Sequence, residues 1–82
     1  MSKNDTRIVI AQGGFVFIGE FSETPDYIKL CNASNIRVWG TKAGLGEIAL
    51  RGPTKDTVLD FAGIVDFPRS AVIAILRCEN DL

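Results

Sequence analysis

The chain contains no histidine. That absence removes the commonest general base and the commonest metal ligand. Cysteine is scarce as well: Cys31 and Cys78 are the two among 82 residues. They form no CxxC pair and belong to no ligand cluster, which excludes an ordinary zinc site. Their spacing predicts two free thiols in a reducing compartment rather than a disulfide. The opening "MSKNDTR" has no apolar run, so neither a signal peptide nor a membrane span is expected, and the expected location is the cytoplasm. An excess of positive charge is missing too. Nine basic residues face ten acidic ones, for a net charge of −1. A sequence pI of about 5.2 does not fit a typical polyanion binder. Nucleic acid is therefore the less favoured partner, although a local basic patch stays open.

What the chain does have is apolar residues, at 46% of the total. Mean hydropathy is positive, at +0.18. The length suits one small domain over 1–82, with 1–6 as a loose polar tail. So heavy an apolar load in so small a body predicts burial against a second copy of the chain.

The pattern along the chain is mainly β with one short helix. "RIVIAQ" (7–12) is a β-branched run, and Gly13-Gly14 marks a hairpin. "FVFIGEFSET" (15–24) predicts a second strand, Pro25-Asp26 a turn, "YIKLCNAS" (27–34) a third strand and "IRVW" (36–39) a fourth. Leu45, Ile48 and Ala49 recur at helical spacing in 44–52, and Gly52-Pro53 stops that helix. "TVLDF" (57–61) and "GIVDF" (63–67) are strand or turn candidates around Gly63. Pro68-Arg69-Ser70 breaks the chain before a last strand, "AVIAILRC" (71–78), and a charged tail. Short, closely spaced strands with Gly and Pro punctuation predict a small barrel or rolled sheet. The strands at 15–18 and 72–76 are apolar on both faces. The helix can cover part of the second face, and a subunit partner is the natural cover for the rest.

One stretch invites a chemical reading: "RVWGTKAGLGE", Arg37 to Glu47. It fails the Walker pattern, because Lys42 precedes Gly44 and no GK[ST] follows. Gly44 to Ala49 reads G-x-G-x-x-A, the outline of a dinucleotide fingerprint. The helix behind it is too short for a crossover, and Glu47 would oppose a phosphate. A simpler anion site survives. Arg37 and Lys42 offer cations, Trp39 a stacking surface, and Gly40, Thr41 and Gly44 backbone amides near a helix start. The six residues Arg37, Trp39, Gly40, Thr41, Lys42 and Gly44 form the candidate site for a small anionic, nucleotide-like ligand. The structural alternative makes Trp39 a core plug, the glycines a strand-to-helix turn and Lys42 a solvated charge. Asp56, Asp60 and Asp66 fit turn caps better than a metal or acid–base set. Ser70 and Cys78 have no histidine to activate them. No catalytic residue and no cofactor is expected.

Two resemblances add to this. "VFIGEFSETPDYIKLCNAS" resembles the central unit of the Sm-like and SH3-like small barrels. Its apolar strand has Gly19 at the bend, and an alternating strand ends in Asn32-Ala33. That likeness implies a small antiparallel SH3-like or Sm-like β-barrel. Sm-like proteins also form rings and bind RNA, but this chain departs from them: the N-terminus does not read as their leading helix, 44–51 is an extra helix, and their basic RNA-binding signature is missing. Secondly, "GFVFIGEF", "YIKLCNASNIRVWG", "AGLGEIALRGPTK" and "AVIAILRC" together resemble a group of small phage-encoded proteins of unassigned function. That likeness implies a phage origin, hence a host-cell cytoplasm, and a non-enzymatic role. Such a role would be binding a nucleotide-like ligand or a host protein, with sequestration of a cyclic-nucleotide immune signal as one mechanism. An Sm-like nucleic-acid binder and a structural or virion interaction module are the competing expectations.

Overall fold

The structure, a computed structural model, describes residues 5–40 and 44–78. The β-branched run forms β1 (Thr6–Ala11), which pairs antiparallel with β2 (Phe15–Glu23) across a turn at 12–14, with Ile8 opposite Ile18. The expected loose tail ends sooner than predicted. Thr6 is buried in β1, and the Asp5 carbonyl accepts from Phe21 N at 2.8 Å. Residues 1–4 of that tail lie outside the described residues.

The expected third and fourth strands are one strand, β3 (Tyr27–Val38). Asn35 does not interrupt it, because it lies opposite Phe17 and its Nδ2 donates to the Val16 carbonyl at 3.3 Å. The irregularity falls earlier, at Asn32-Ala33, where the register with β2 shifts and Asn32 takes φ 51°. Extra residues in one strand of a pair bend the ladder without ending it. The same reason merges the two candidates around Gly63 into β4 (Val58–Pro68), with Gly63 opposite Ala33 at another shift. Between them, α1 (Leu45–Arg51) is the short helix foreseen, closed where Gly52 N donates to the Ile48 carbonyl at 2.7 Å. A 3₁₀ turn, Arg69–Ala71, leads into β5 (Val72–Arg77). Arg69 secures that corner: its Nη2 donates to the Thr24 carbonyl at 2.7 Å and to Glu23 Oε1 at 2.6 Å.

All five strands belong to one antiparallel sheet in the order β4-β3-β2-β1-β5. Unlike the expected barrel, the sheet is not closed. β4 and β5 are its two edges, each hydrogen-bonded to a single neighbour.

Two buried clusters lie on opposite faces, as the doubly apolar strands require. Ile8, Val16, Ile18 and Ile36 pack beneath Leu45, Ile48 and Ala49 of α1. On the other face Val9 and Ala11 of β1 join Ile28, Leu30 and Ala33 of β3 and Phe67 of β4. β2 lies between β1 and β3 in the sheet, so this second cluster requires the sheet to bend over itself. Phe17 and Phe67, also from non-adjacent strands, meet edge-on with centroids 5.5 Å apart. Gly19 sits at that bend. A Cβ there would stand 2.9 Å from the Cys31 carbonyl oxygen and 3.0 Å from Ala33 Cα, too close for any side chain. The chain thus covers much of its second face by curling, and not only through the helix or a partner.

Candidate functional site

The corner between β3 and α1 carries the residues singled out by sequence. Arg37 lies near the end of β3, exposed, with its guanidinium on Asp60 of β4: Nε to Oδ2 is 2.7 Å and Nη2 to Oδ1 is 3.5 Å. That hydrogen bond, with the attraction of the carboxylate, raises the Arg37 pKa and holds the cation more firmly charged. The positive charge expected for a ligand is therefore already shared with a carboxylate. The Arg–Asp pair is open to water, where such pairs exchange partners readily.

Trp39 follows the strand and is 44% exposed, so it is not a core plug. A methyl group at Gly44 would stand 3.8 Å from Trp39 Cζ3, which places the indole beside the start of α1. The backbone under the indole is held by two threonines that sequence reasoning missed. Thr57 Oγ1 donates to the Trp39 carbonyl at 2.6 Å, and Thr54 Oγ1 donates to the Gly40 carbonyl at 2.7 Å. Each hydroxyl has one proton, so both are committed to those carbonyls. As acceptors they take the Thr54 and Asp56 amides, at 2.9 and 3.1 Å. The signal was present in "PTKDT", a threonine-bracketed turn after a proline, a composition that favours hydroxyl-to-backbone bonds.

Gly40 is fixed by this clamp. Its φ is 63°, and a Cβ would fall on the Asp56 carbonyl group and the Thr57 nitrogen. Thr41 and Lys42 lie outside the described residues. The structure thus brings Arg37, Trp39, Gly40 and Gly44 to one corner. It adds Thr54, Thr57 and Asp60. α1 has seven residues, too short for its first-turn amides to act as an anion site on their own.

Of the other candidates, Asp60 is the partner of Arg37 and Asp66 is an exposed strand residue opposite Lys29, while Asp56 stands in the threonine-clamped turn. They occupy separate places, and the described residues hold no cluster of three metal-ligating groups. Cys31 and Cys78 are free thiols. Cys78 packs against the helix-side cluster, and its burial, with a smaller contribution from Asp5, pushes its pKa up to about 11. Such a thiol is protonated at neutral pH and a poor nucleophile. Among the described residues no helix is long and apolar enough to cross a membrane.

A shallow depression of about 220 Å³ lies at the bend, lined by Thr6, Ile18, Glu20, Asn32, Ser34 and Leu59. Asn32 Nδ2 donates to Glu20 Oε2 there at 3.0 Å.

The largest exposed groups are elsewhere, on the two edge strands. Phe61 and Ile64 of β4 are 74% and 68% exposed, and Ile73 of β5 is 65% exposed. No protein-family model, curated protein or solved structure matches this chain.

Proposed function

We propose that the protein is a non-enzymatic, self-associating binding protein that works by stoichiometric contact. The observation that carries this is the exposure of Phe61, Ile64 and Ile73 on open sheet edges, while the interior holds two complete apolar clusters. Large apolar side chains on an unpaired edge are the features that soluble proteins ordinarily avoid unless something pairs with them. Sedimentation velocity over a range of concentrations tests it: the wild type is expected to sediment above the monomer mass. A monomer throughout would overturn the self-association.

The ligand within this reading is small, anionic and nucleotide-like. An indole and a guanidinium stand exposed at one corner, and together they suit a stacked base and a phosphate. A phage origin and a counter-defence role by sequestration agree with such a binder. The bend at Gly19 supports the SH3-like and Sm-like likeness, and the open sheet departs from it. Thermal shift against mono- and cyclic dinucleotides tests the ligand. Asp60→Asn, which frees Arg37, is expected to strengthen any shift, and Arg37→Ala to abolish it. No shift with any nucleotide for the wild type or Asp60→Asn removes the ligand reading and leaves self-association standing.

A further inference from the structure

The depression at the bend is built on one face of the sheet. Thr6 faces Glu20 and Ile18 faces Ser34, so β1, β2 and β3 each turn lining residues to the same side. Leu59 of β4 faces Ile36, two residues beyond Ser34, and lines the depression from that edge. Between the pairs Ile18–Ser34 and Glu20–Cys31, Gly19 alone stands against Asn32 and Ala33. Two residues against one make a bulge. The exposed Asn32 belongs to that bulge, and its Nδ2 donates to Glu20 Oε2 at 3.0 Å.

Size and lining limit what can enter. A volume of about 220 Å³ is below the roughly 300–1,000 Å³ of pockets for drug-sized ligands, so a nucleotide is too large. At about 30 Å³ per water-sized group there is room for roughly seven, enough for one side chain or a small amine. The one charged group in the described lining is the Glu20 carboxylate, which repels an anion. A carboxylate accepts at about four positions, and the Asn32 bond takes one of them. That bond turns the nitrogen of the Asn32 amide to Glu20 and leaves its oxygen as an acceptor, beside the Ser34 and Thr6 hydroxyls. A wholly apolar guest would cover these groups without pairing them. A metal ion needs more ligands, and the described residues hold no group of three. Ile18 and Leu59 add an apolar wall. A cation on an alkyl stem meets all of these conditions, and an ammonium has three donors for the acceptors around it.

We infer that this depression binds a primary alkylammonium group, carried by a free diamine or by a lysine of a partner. Its nitrogen sits on Glu20 and its methylenes lie against Ile18 and Leu59. Asn32 holds the carboxylate in place beforehand, which lowers the ordering cost of binding. The site takes the opposite charge to the Arg37 corner, and it depends on neither the nucleotide reading nor self-association.

Titration of the full-length chain, followed by two-dimensional NMR at neutral pH, tests this. n-Pentylammonium is expected to move the Asn32 side-chain amide and the backbone amides of Ile18, Gly19 and Ser34, with saturation. n-Pentanol, of equal length but uncharged, is expected to bind at least about tenfold more weakly, the usual loss for a hydrogen bond to a charged group. Glu20→Gln keeps the size and an oxygen for Asn32, and should weaken the amine by about tenfold. Equal binding of pentanol or pentanoate would overturn the role of charge without recourse to any variant. Unchanged affinity in Glu20→Gln would overturn the role of that carboxylate, and no movement at the depression with pentylammonium would overturn the site. Cadaverine and N-acetyl-lysine N-methylamide distinguish the sources. Binding of the lysine derivative as tight as that of pentylammonium assigns a partner's lysine, and binding of cadaverine alone assigns a free diamine. Rejection of both would overturn either source.

Discussion

Gly40→Ala measures how firmly the β3–α1 corner is clamped. At φ 63° an L-residue pays for left-handed backbone, a cost of about 1–2 kcal/mol. The new methyl also meets the Asp56 carbonyl group and Thr57 nitrogen, which are backbone atoms and cannot rotate away. Displacing them would disturb the Thr54 and Thr57 hydroxyl bonds to the Gly40 and Trp39 carbonyls, and overpacking of this kind costs about 1–3 kcal/mol. Loss of glycine's freedom in the unfolded chain offsets about 0.4–1 kcal/mol of that. The net expectation for Gly40→Ala is about 2–4 kcal/mol of destabilisation.

Gly14→Ala is the internal control. Its φ, 81°, is also positive, but the added methyl would meet nothing within 4 Å. Its expected cost is the backbone component alone, about 1 kcal/mol after the same offset. Urea unfolding, followed by circular dichroism and by the fluorescence of the single tryptophan, should separate the two variants. With a slope of about 1 kcal/mol per molar, typical of a small domain, Gly40→Ala should unfold at least about 1 M earlier than Gly14→Ala. If the two variants unfold within about 0.5 kcal/mol of each other, the corner yields freely and the clamp argument is wrong.

Ile48→Ala removes a side chain that is 1% exposed and joins α1 to the sheet, and it should cost about 2–5 kcal/mol in the same unfolding assay. Cys78 has a folded pKa of about 11 against an ordinary 9.0, so the unfolded state loses its proton first as pH rises. Its contribution to stability is whole below about pH 9 and is lost between there and about pH 11, which pH-dependent melting should show for the wild type and not for Cys78→Ala. Alkylation of native Cys78 should be slow at neutral pH and rise steeply only toward pH 11.

The number and kind of elements were legible from local pattern. β-branched runs, Gly13-Gly14, the helical spacing of Leu45, Ile48 and Ala49, and Gly52-Pro53 all fell where the structure has strands, a turn, a helix and its end. Asn35 and Gly63 were misleading as breaks. Composition marks an irregularity but does not distinguish a bulge from a strand end, because that depends on the neighbouring strand. Within the candidate corner, Arg37, Trp39, Gly40 and Gly44 were found from residue type. Asp60, Thr54 and Thr57 were not, since they reach the corner through pairing of β4 with β3 and through a turn far along the chain.

Local pattern along the chain was enough to specify a mainly β fold with strands apolar on both faces and a short helix. Hydrophobic period and turn chemistry act over a few residues, so one sequence suffices to read them. Only the tertiary structure decided that the sheet stays open and curls at Gly19, and that Asp60 shares the charge of Arg37. It also left the most exposed apolar residues on β4 and β5. Those outcomes depend on which strands become edges, and edge position is set by long-range pairing that no local stretch of sequence encodes.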